Sequence, residues 1–146
     1  MLGQLLVGIF ISLCNIAAHA VVMTTVVRTA RGATAWAHDR PRSWLPIVMV
    51  ATATVLLATH VAEVFLWAAT YAVLQVIPVE TEAIYFAFVN YTTLGYGDIL
   101  PAAEWRLLGP MAAMNGILLF GWSTAVIFEV LRHAMLLHGQ TGPEPR

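Results

Sequence analysis

The chain has no lysine, one cysteine and few charges of either sign. Charged residues make up 10% of its 146 residues and hydrophobic residues 60%, far from the composition of a soluble domain. Cys14 has no second cysteine with which to form a disulfide within the chain, so the redox compartment is left open. The net charge of −1 indicates no particular partner, and we expect no nucleic acid to bind.

The sequence also lacks the patterns that carry enzyme chemistry. It has no metal-ligand spacing, no catalytic triad and no phosphate-binding loop. We therefore expect a protein that is not an enzyme and that binds no cofactor. At this length there is room for one domain and no separate soluble module.

Three long apolar stretches cover most of the chain, at residues 2–27, 45–77 and 105–138. Each is long enough to cross a bilayer core of about 30 Å as a helix, which predicts an all-α integral membrane protein with three transmembrane helices. Residues 18–20, Ala-His-Ala, resemble the cleavage site of a signal peptide. However, no cation precedes them and the apolar run continues, so we expect an uncleaved first helix.

A shorter apolar segment, residues 80–93, lies between the second and third stretches. It is too short to cross a bilayer, which favours a re-entrant helix that ends at the following glycines. Irregular backbone at membrane depth is tolerated only where it is buried in protein or lines water. Gly95 and Gly97 flank Tyr96 and allow the backbone to alternate between left- and right-handed conformations. Residues 92–98, the filter segment below, are therefore the candidate lining of a pore.

Residues 93–98 are Thr-Leu-Gly-Tyr-Gly-Asp and resemble the Thr-Val-Gly-Tyr-Gly-Asp signature of tetrameric potassium channels. The resemblance is to the small bacterial channels with one pore loop per subunit, and it covers about residues 80–130. It implies a homotetramer in which the re-entrant pore helices and selectivity filters of four subunits surround one central, K⁺-selective pore. In potassium channels, rings of filter carbonyls replace the hydration shell of the ion. The implied partners are other copies of the chain and membrane lipid, and K⁺ is the permeant ligand.

The same resemblance assigns the ion-binding residues. The implied filter comprises Thr93, Leu94, Gly95, Tyr96 and Gly97, with K⁺ held by the carbonyls of the first four and by the Thr93 hydroxyl. Leu94 replaces the valine of the family, which alters the side chain behind the filter and leaves its carbonyl in place.

Two further positions near the filter have implied roles. Asp98 is expected at the outer mouth, where four carboxylates would concentrate cations or hold the filter shape. Many family members carry an acid on the pore helix behind the filter. Val89 stands at that position here, which puts in doubt any inactivation behaviour that depends on the acid.

Residues 115–121 resemble the inner helix of the family, with Gly116 at the hinge position. A glycine in a helix interior costs about 1 kcal/mol relative to alanine, which either bending or close helix packing would explain. Helical spacing puts Thr124, Phe128 and Arg132 on one face. A ring of Phe128 side chains is a gate candidate that would close the pore by dewetting, and packing between helices is the alternative.

His60 and Glu63 lie near the middle of the second stretch and share a helix face. Ionisable groups at that depth are costly and mark a functional candidate with a partner. His19 of the first stretch is a possible third member. The buried polar pair would either sense protons or lock helices together.

The arginines predict the orientation. Residues 28–43 hold four arginines and one acid, whereas residues 78–106 hold one arginine and four acids. The positive-inside rule puts the 28–43 loop and the C-terminus in the cytoplasm and the N-terminus outside, in the plasma membrane of a bacterium.

The expected organisation is an extra N-terminal helix (1–27), the cytoplasmic loop (28–43), a pore domain (44–138) and a disordered tail (139–146). The pore domain divides into an outer helix (45–77), pore helix and filter (80–98) and inner helix (105–135).

Alternatives of other classes stay open. The chain would be a non-conducting sensor or assembly protein on a channel fold, a transporter-type subunit, or a less selective cation channel. The sequence has no arginine-rich voltage-sensing helix and no room for a cytoplasmic regulatory domain, so it does not indicate what opens the pore.

Overall fold

The computed structural model describes residues 1–35, 44–78 and 82–139. Within these ranges the chain is helical and contains no strand. The elements are α1 (Leu2–Ala35), α2 (Trp44–Val73), α3 (Ala83–Tyr91), a 3₁₀ turn (Ala103–Trp105) and α4 (Leu108–Gly139). Three spans, Leu2–Gly32, Trp44–Val73 and Ala103–Leu136, are long and apolar enough to cross a membrane. The predicted all-α fold with three membrane helices and one short helix is confirmed.

Helices α1 and α4 lie side by side and run in the same direction. Three hydrogen-bonded pairs occur in the same order along both: Gln4 with Leu107, Asn15 with Asn115, and Arg31 with Glu129. α2 runs the opposite way, since Trp67 bonds to Asn115 whereas the earlier His60 bonds to the later Ser123. The segment between α2 and α4 starts and finishes at one end of this bundle, where the Ala102 N–H donates to the Val76 carbonyl at 2.8 Å. This is the path of a re-entrant segment.

The first helix is longer than predicted. It was expected over residues 1–27, but α1 continues to Ala35 because arginine and alanine are good helix formers where the hydropathy falls. Arg28 and Arg31 therefore lie on a helix and not in a loop. Residues 36–43 of the predicted loop and 140–146 of the predicted tail lie outside the described residues.

The other two long helices also differ from prediction at their ends. α2 stops at Val73 and not at residue 77, because Gln75 adopts a left-handed φ of 50°. The Gln75 N–H donates to Ala72 at 3.2 Å and the Val76 N–H to Tyr71 at 2.9 Å, which is the Schellman arrangement that ends many helices. The inner helix was predicted over residues 105–135 but spans Leu108–Gly139, following the 3₁₀ turn.

Helix α3 is nine residues long, which is about 14 Å or roughly half of a bilayer core. Its buried face packs on α2 through aromatic rings, with Phe86 edge-on to Tyr71 at 5.1 Å between centroids. Tyr91, its last residue, is fully buried. α3 therefore ends inside the bundle, and the filter segment begins there.

Candidate functional site

The backbone of the filter segment alternates in handedness. Thr93, Gly95 and Gly97 have positive φ angles of 62°, 59° and 73°, whereas Leu94 and Tyr96 do not. Such alternation lets successive carbonyls point to one side of the ribbon. The two glycines adopt this conformation without strain, but a β-branched threonine does so only where its surroundings hold it. Thr93 is therefore a strained residue at the start of the ribbon.

Hydrogen bonds to α3 hold this strained start. The Thr93 N–H donates to the Asn90 carbonyl at 2.9 Å, and the N–H groups of Leu94 and Gly95 donate to the Val89 carbonyl at 2.9 and 3.2 Å. In the part of the chain that the structure describes, no hydrogen bond ends on the carbonyls of residues 93–96. The start of the ribbon is thus fixed through its N–H groups, whereas the carbonyl oxygens of residues 93–96 have no hydrogen-bond partner among the described residues.

Gly116 of α4 lies directly against the end of α3. A Cβ built at this glycine would overlap the carbonyl oxygen of Tyr91. Gly109, the second residue of α4, is similarly close to Asn90, with 2.7 Å from its ideal Cβ to the amide oxygen. Close packing behind the filter segment is therefore a sufficient reason for Gly116, and a hinge role stays a prediction.

Asp98 at the far end of the filter segment is bonded on both carboxylate oxygens. The Tyr85 hydroxyl donates to Oδ2, and the Ile99 N–H donates to Oδ1 at 3.1 Å. Tyr85 lies near the start of α3, so the bond joins the two ends of the re-entrant segment. The hydrogen bond from the phenol to Asp98, together with the carboxylate charge, raises the pKa of Tyr85 from 10.0 to about 12.

A network of polar side chains, here the polar ring, lies in the middle of the bundle. Glu63 Oε1 lies 2.7 Å from His19 Nδ1, and Oε2 lies 3.0 Å from His60 Nδ1. The Tyr91 hydroxyl also donates to Oε2. His60 Nδ1 lies 3.0 Å from the Tyr91 oxygen as well. Ser123 Oγ lies 2.9 Å from His60 Nε2 and 3.3 Å from His19 Nε2. The structure thus brings together the three residues singled out from the sequence.

The sequence reasoning missed Ser123 and Tyr91, and a second buried group beside the polar ring. There the Asn115 oxygen accepts from Asn15 at 2.9 Å and from Trp67 at 3.1 Å. A signal for these residues was available. Asn15 and His19 are four apart on α1, so they share a face, and Asn115 and Ser123 are polar residues within an apolar helix.

The polar ring is the place to look for a metal ion. One donor atom from each of His19, His60 and Glu63 lies within 4.8 Å of the others. However, ligands around a tetrahedral Zn²⁺, with bonds of 2.0–2.1 Å, are about 3.3 Å apart. The imidazole–carboxylate distances of 2.7 and 3.0 Å are shorter and match hydrogen bonds. The donors as they stand therefore share protons and do not surround a metal.

Residues 48–133 match a family model described as Ion channel (Ion_trans_2), over more than half of the chain. The chain belongs to this ion channel family. The match covers most of α2, all of α3, the filter segment and most of α4, and α1 lies before it. Comparisons with curated proteins and with solved structures gave no match. The protein is an ion channel component and not an enzyme.

The remaining predicted site residue of the channel, Phe128, lies on α4 and is 63% exposed in the single chain. It shares its exposed face with Thr124 and Arg132, as the spacing predicted. Among the described residues, no hydrogen bond joins this face to the filter segment or to the polar ring. The gate role stays a prediction.

We expect Gly116→Ala to lower the melting temperature of the channel in detergent. The added methyl group would force α4 away from the Tyr91 carbonyl, and overpacking of this kind costs about 1–3 kcal/mol. Gly121→Ala on the same helix is the control, because no atom lies within 4 Å of its added Cβ. It should melt at the parental temperature or slightly above. Equal melting of both variants would contradict the packing role.

Tyr85 provides a pH prediction. Because its pKa is raised to about 12, the hydrogen bond to Asp98 contributes fully below pH 10.0 and is lost as the pH rises towards 12. Asp98→Asn should lower the pKa of Tyr85 towards 10.0, measured by tyrosinate absorbance, with Tyr85→Phe identifying the signal. An identical titration in Asp98→Asn and the parent would refute this bond.

Proposed function

We propose that this chain forms a K⁺-selective channel in which four copies surround one central pore. The observation that carries the proposal is the left-handed conformation at Thr93, Gly95 and Gly97, together with the carbonyls of residues 93–96, which accept no hydrogen bond from the described residues. Stacked carbonyls of this kind replace the water around a dehydrated K⁺ ion. The ion-binding residues are then Thr93, Leu94, Gly95 and Tyr96, and Gly97 completes the filter.

The need for several copies follows from the exposure of the filter segment. In the single chain Leu94 is 54% and Tyr96 66% exposed, although both are large apolar side chains. One ribbon also offers oxygens to an ion from one side only. A ring of four head-to-tail copies would cover these side chains and enclose the ion, and four is the number that the family resemblance implies.

Asp98 fits the outer mouth of such a pore. Its carboxylate is held by Tyr85 and by the Ile99 N–H, so its position is defined relative to the filter. Four carboxylates at one mouth would raise the local concentration of cations. In this proposal Asp98 both holds the filter shape and attracts K⁺.

The far half of the pore is lined by α4. Phe128 is the candidate constriction, and Gly116 allows α4 to approach the filter whether or not the helix also bends there. Arg28, Arg31 and Arg132 lie on the later halves of α1 and α4, which run in parallel, so these ends share an excess of cations. The positive-inside rule then supports a cytoplasmic location for them, with the filter facing outwards across a bacterial plasma membrane.

Native mass and ion flux test the function together. We expect a tetrameric mass in mild detergent and, in liposomes, flux of K⁺ well above that of Na⁺. Gly95→Ala should abolish K⁺ flux, since alanine resists the left-handed conformation even though no atom lies closer than 3.9 Å to its added Cβ. Gly3→Ala, with no atom within 4 Å and no left-handed φ, is the control and should conduct as the parent does.

Other outcomes of this experiment decide between the alternatives. A monomeric or dimeric mass with flux intact contradicts the four-fold pore. Equal K⁺ and Na⁺ flux identifies a less selective cation channel. A tetramer without flux identifies a non-conducting assembly or sensor on the channel fold.

Phe128→Ala should increase K⁺ flux if four Phe128 rings form a dewetted constriction, and Phe128→Asp should increase it further. Leu57→Ala is the control, because Leu57 is a similarly exposed apolar residue on α2. Flux that is the same in all three variants and the parent would assign Phe128 to packing between helices.

A further inference from the structure

The polar ring is closed on itself. Four hydrogen bonds run from His19 Nδ1 to Glu63 Oε1, from Glu63 Oε2 to His60 Nδ1, from His60 Nε2 to Ser123 Oγ, and from Ser123 Oγ back to His19 Nε2. Tyr91 is attached from outside, through its hydroxyl on Glu63 Oε2. Its oxygen also lies 3.0 Å from His60 Nδ1 and shares the proton that this nitrogen donates to Glu63, so this contact adds no proton to the count. The cycle joins α1, α2 and α4, and Tyr91 adds α3.

Closing this ring needs a definite number of protons, because each hydrogen bond contains one. The five bonds therefore contain five protons. Ser123 and Tyr91 supply one each, so the two imidazoles and the Glu63 carboxyl hold the other three. Two neutral imidazoles beside a carboxylate hold only two. The third proton makes either an imidazolium beside a carboxylate or a neutral carboxylic acid, and in both forms the ring has no net charge.

Loss of the third proton breaks the ring at α4. The Glu63 carboxylate then accepts a hydrogen bond from the Nδ1–H group of each imidazole, and both Nε2 atoms turn lone pairs towards Ser123. The hydroxyl has one proton and donates to only one of them. Its contact with His19 is the longest in the ring at 3.3 Å, so we expect this one to open. A net negative charge would also remain on groups that are almost fully buried, with Glu63 3% exposed.

We propose that the polar ring is a proton-binding site, whose one exchangeable proton holds α4 against the other three helices. The ligand is H⁺, shared among His19, His60 and Glu63. Such groups titrate as a unit and not as separate sites.

The described residues packed around the polar ring bring no charge to it, so its own members have to balance their charges. Its titratable members are His19 on α1, His60 and Glu63 on α2 and Tyr91 on α3, and α4 contributes the Ser123 hydroxyl. Two aromatic side chains pack against the polar ring. The ring centroids of Trp122 and His19 are 5.4 Å apart, and those of Phe120 and His60 are 4.5 Å apart. Among the described residues, no arginine and no second carboxylate is bonded to the ring.

The site connects to the filter through Tyr91. This residue ends α3 immediately before the filter segment, and its carbonyl touches α4 at Gly116. Release of Ser123 would therefore loosen α4 behind the filter. This consequence for conduction rests on the proposed function, whereas the proton site itself does not.

Glu63→Gln tests the proton without disturbing the fold, because it removes the exchangeable proton and preserves the hydrogen bonds. The carboxamide carries its own N–H, so it can donate to His19 Nδ1 while accepting from His60 Nδ1 and Tyr91. His19 then donates from Nε2 to Ser123, and Ser123 donates to His60 Nε2. All five hydrogen bonds are satisfied with both imidazoles neutral. We expect this variant to keep the parental melting temperature, whereas Glu63→Ala should melt earlier because three donors lose their acceptor.

The test is ¹⁵N NMR of the whole 146-residue chain with labelled histidine in micelles, with His38, His133 and His138 replaced by glutamine in every sample. In the parent, the His19 and His60 nitrogens should change in one common step as the pH rises, with release of one proton per chain. Glu63→Gln should lose that step over the same pH range. Two independent steps, a step that persists in Glu63→Gln, or no step in the parent while it stays folded would each overturn the proposal.

Two controls sharpen the result. Glu129→Gln removes a partly exposed carboxylate that pairs with Arg31 and Arg132, and it should leave the common step unchanged. Addition of equimolar Zn²⁺ should leave the nitrogen signals in place, and a shift of both Nδ1 signals would identify a metal site and overturn the proton assignment. Flux is measured in parallel. A common step without flux would count against the channel function and leave the proton site standing.

Discussion

Tyr91 is held from two directions, and the position of the filter segment depends on both. Its hydroxyl donates to Glu63 on α2, and its carbonyl oxygen packs against Gly116 on α4. The residues that follow Tyr91 are hydrogen-bonded to the end of α3, since the N–H groups of Thr93 and Leu94 donate to carbonyls in its last turn. A displacement of Tyr91 would therefore also displace the ribbon, because hydrogen bonds tie the start of the ribbon to the same end of α3.

Such directional contacts matter more in a bilayer than in water. Lipid tails are as apolar as leucine, so burial of apolar surface does little to hold membrane helices together, and packing and hydrogen bonds take its place. The polar ring and the group formed by Asn15, Asn115 and Trp67 supply these bonds at two levels of the bundle. They set the register of α1, α2 and α4, which hydrophobicity leaves undefined.

Helix α1 is part of this arrangement although it lies outside the region that matches the family. It contributes His19 to the polar ring and Asn15 to the second group, and it packs along α4 from Gln4 to Arg31. The first helix therefore stabilises α4 directly.

The sequence by itself determined the membrane class, the three long helices, the short fourth one and the handedness available at Gly95 and Gly97, because hydropathy and glycine conformation are local properties. It also indicated that His60 and Glu63 needed partners, since an ionisable group in an apolar helix is costly alone. Only the tertiary structure decided which partners they have, and it placed Ser123 and Tyr91 there with His19. The reason for Gly116 likewise lies in a contact with Tyr91, twenty-five positions earlier. Helix periodicity specifies a face but not the neighbour across from it, so register between helices had to come from the folded chain.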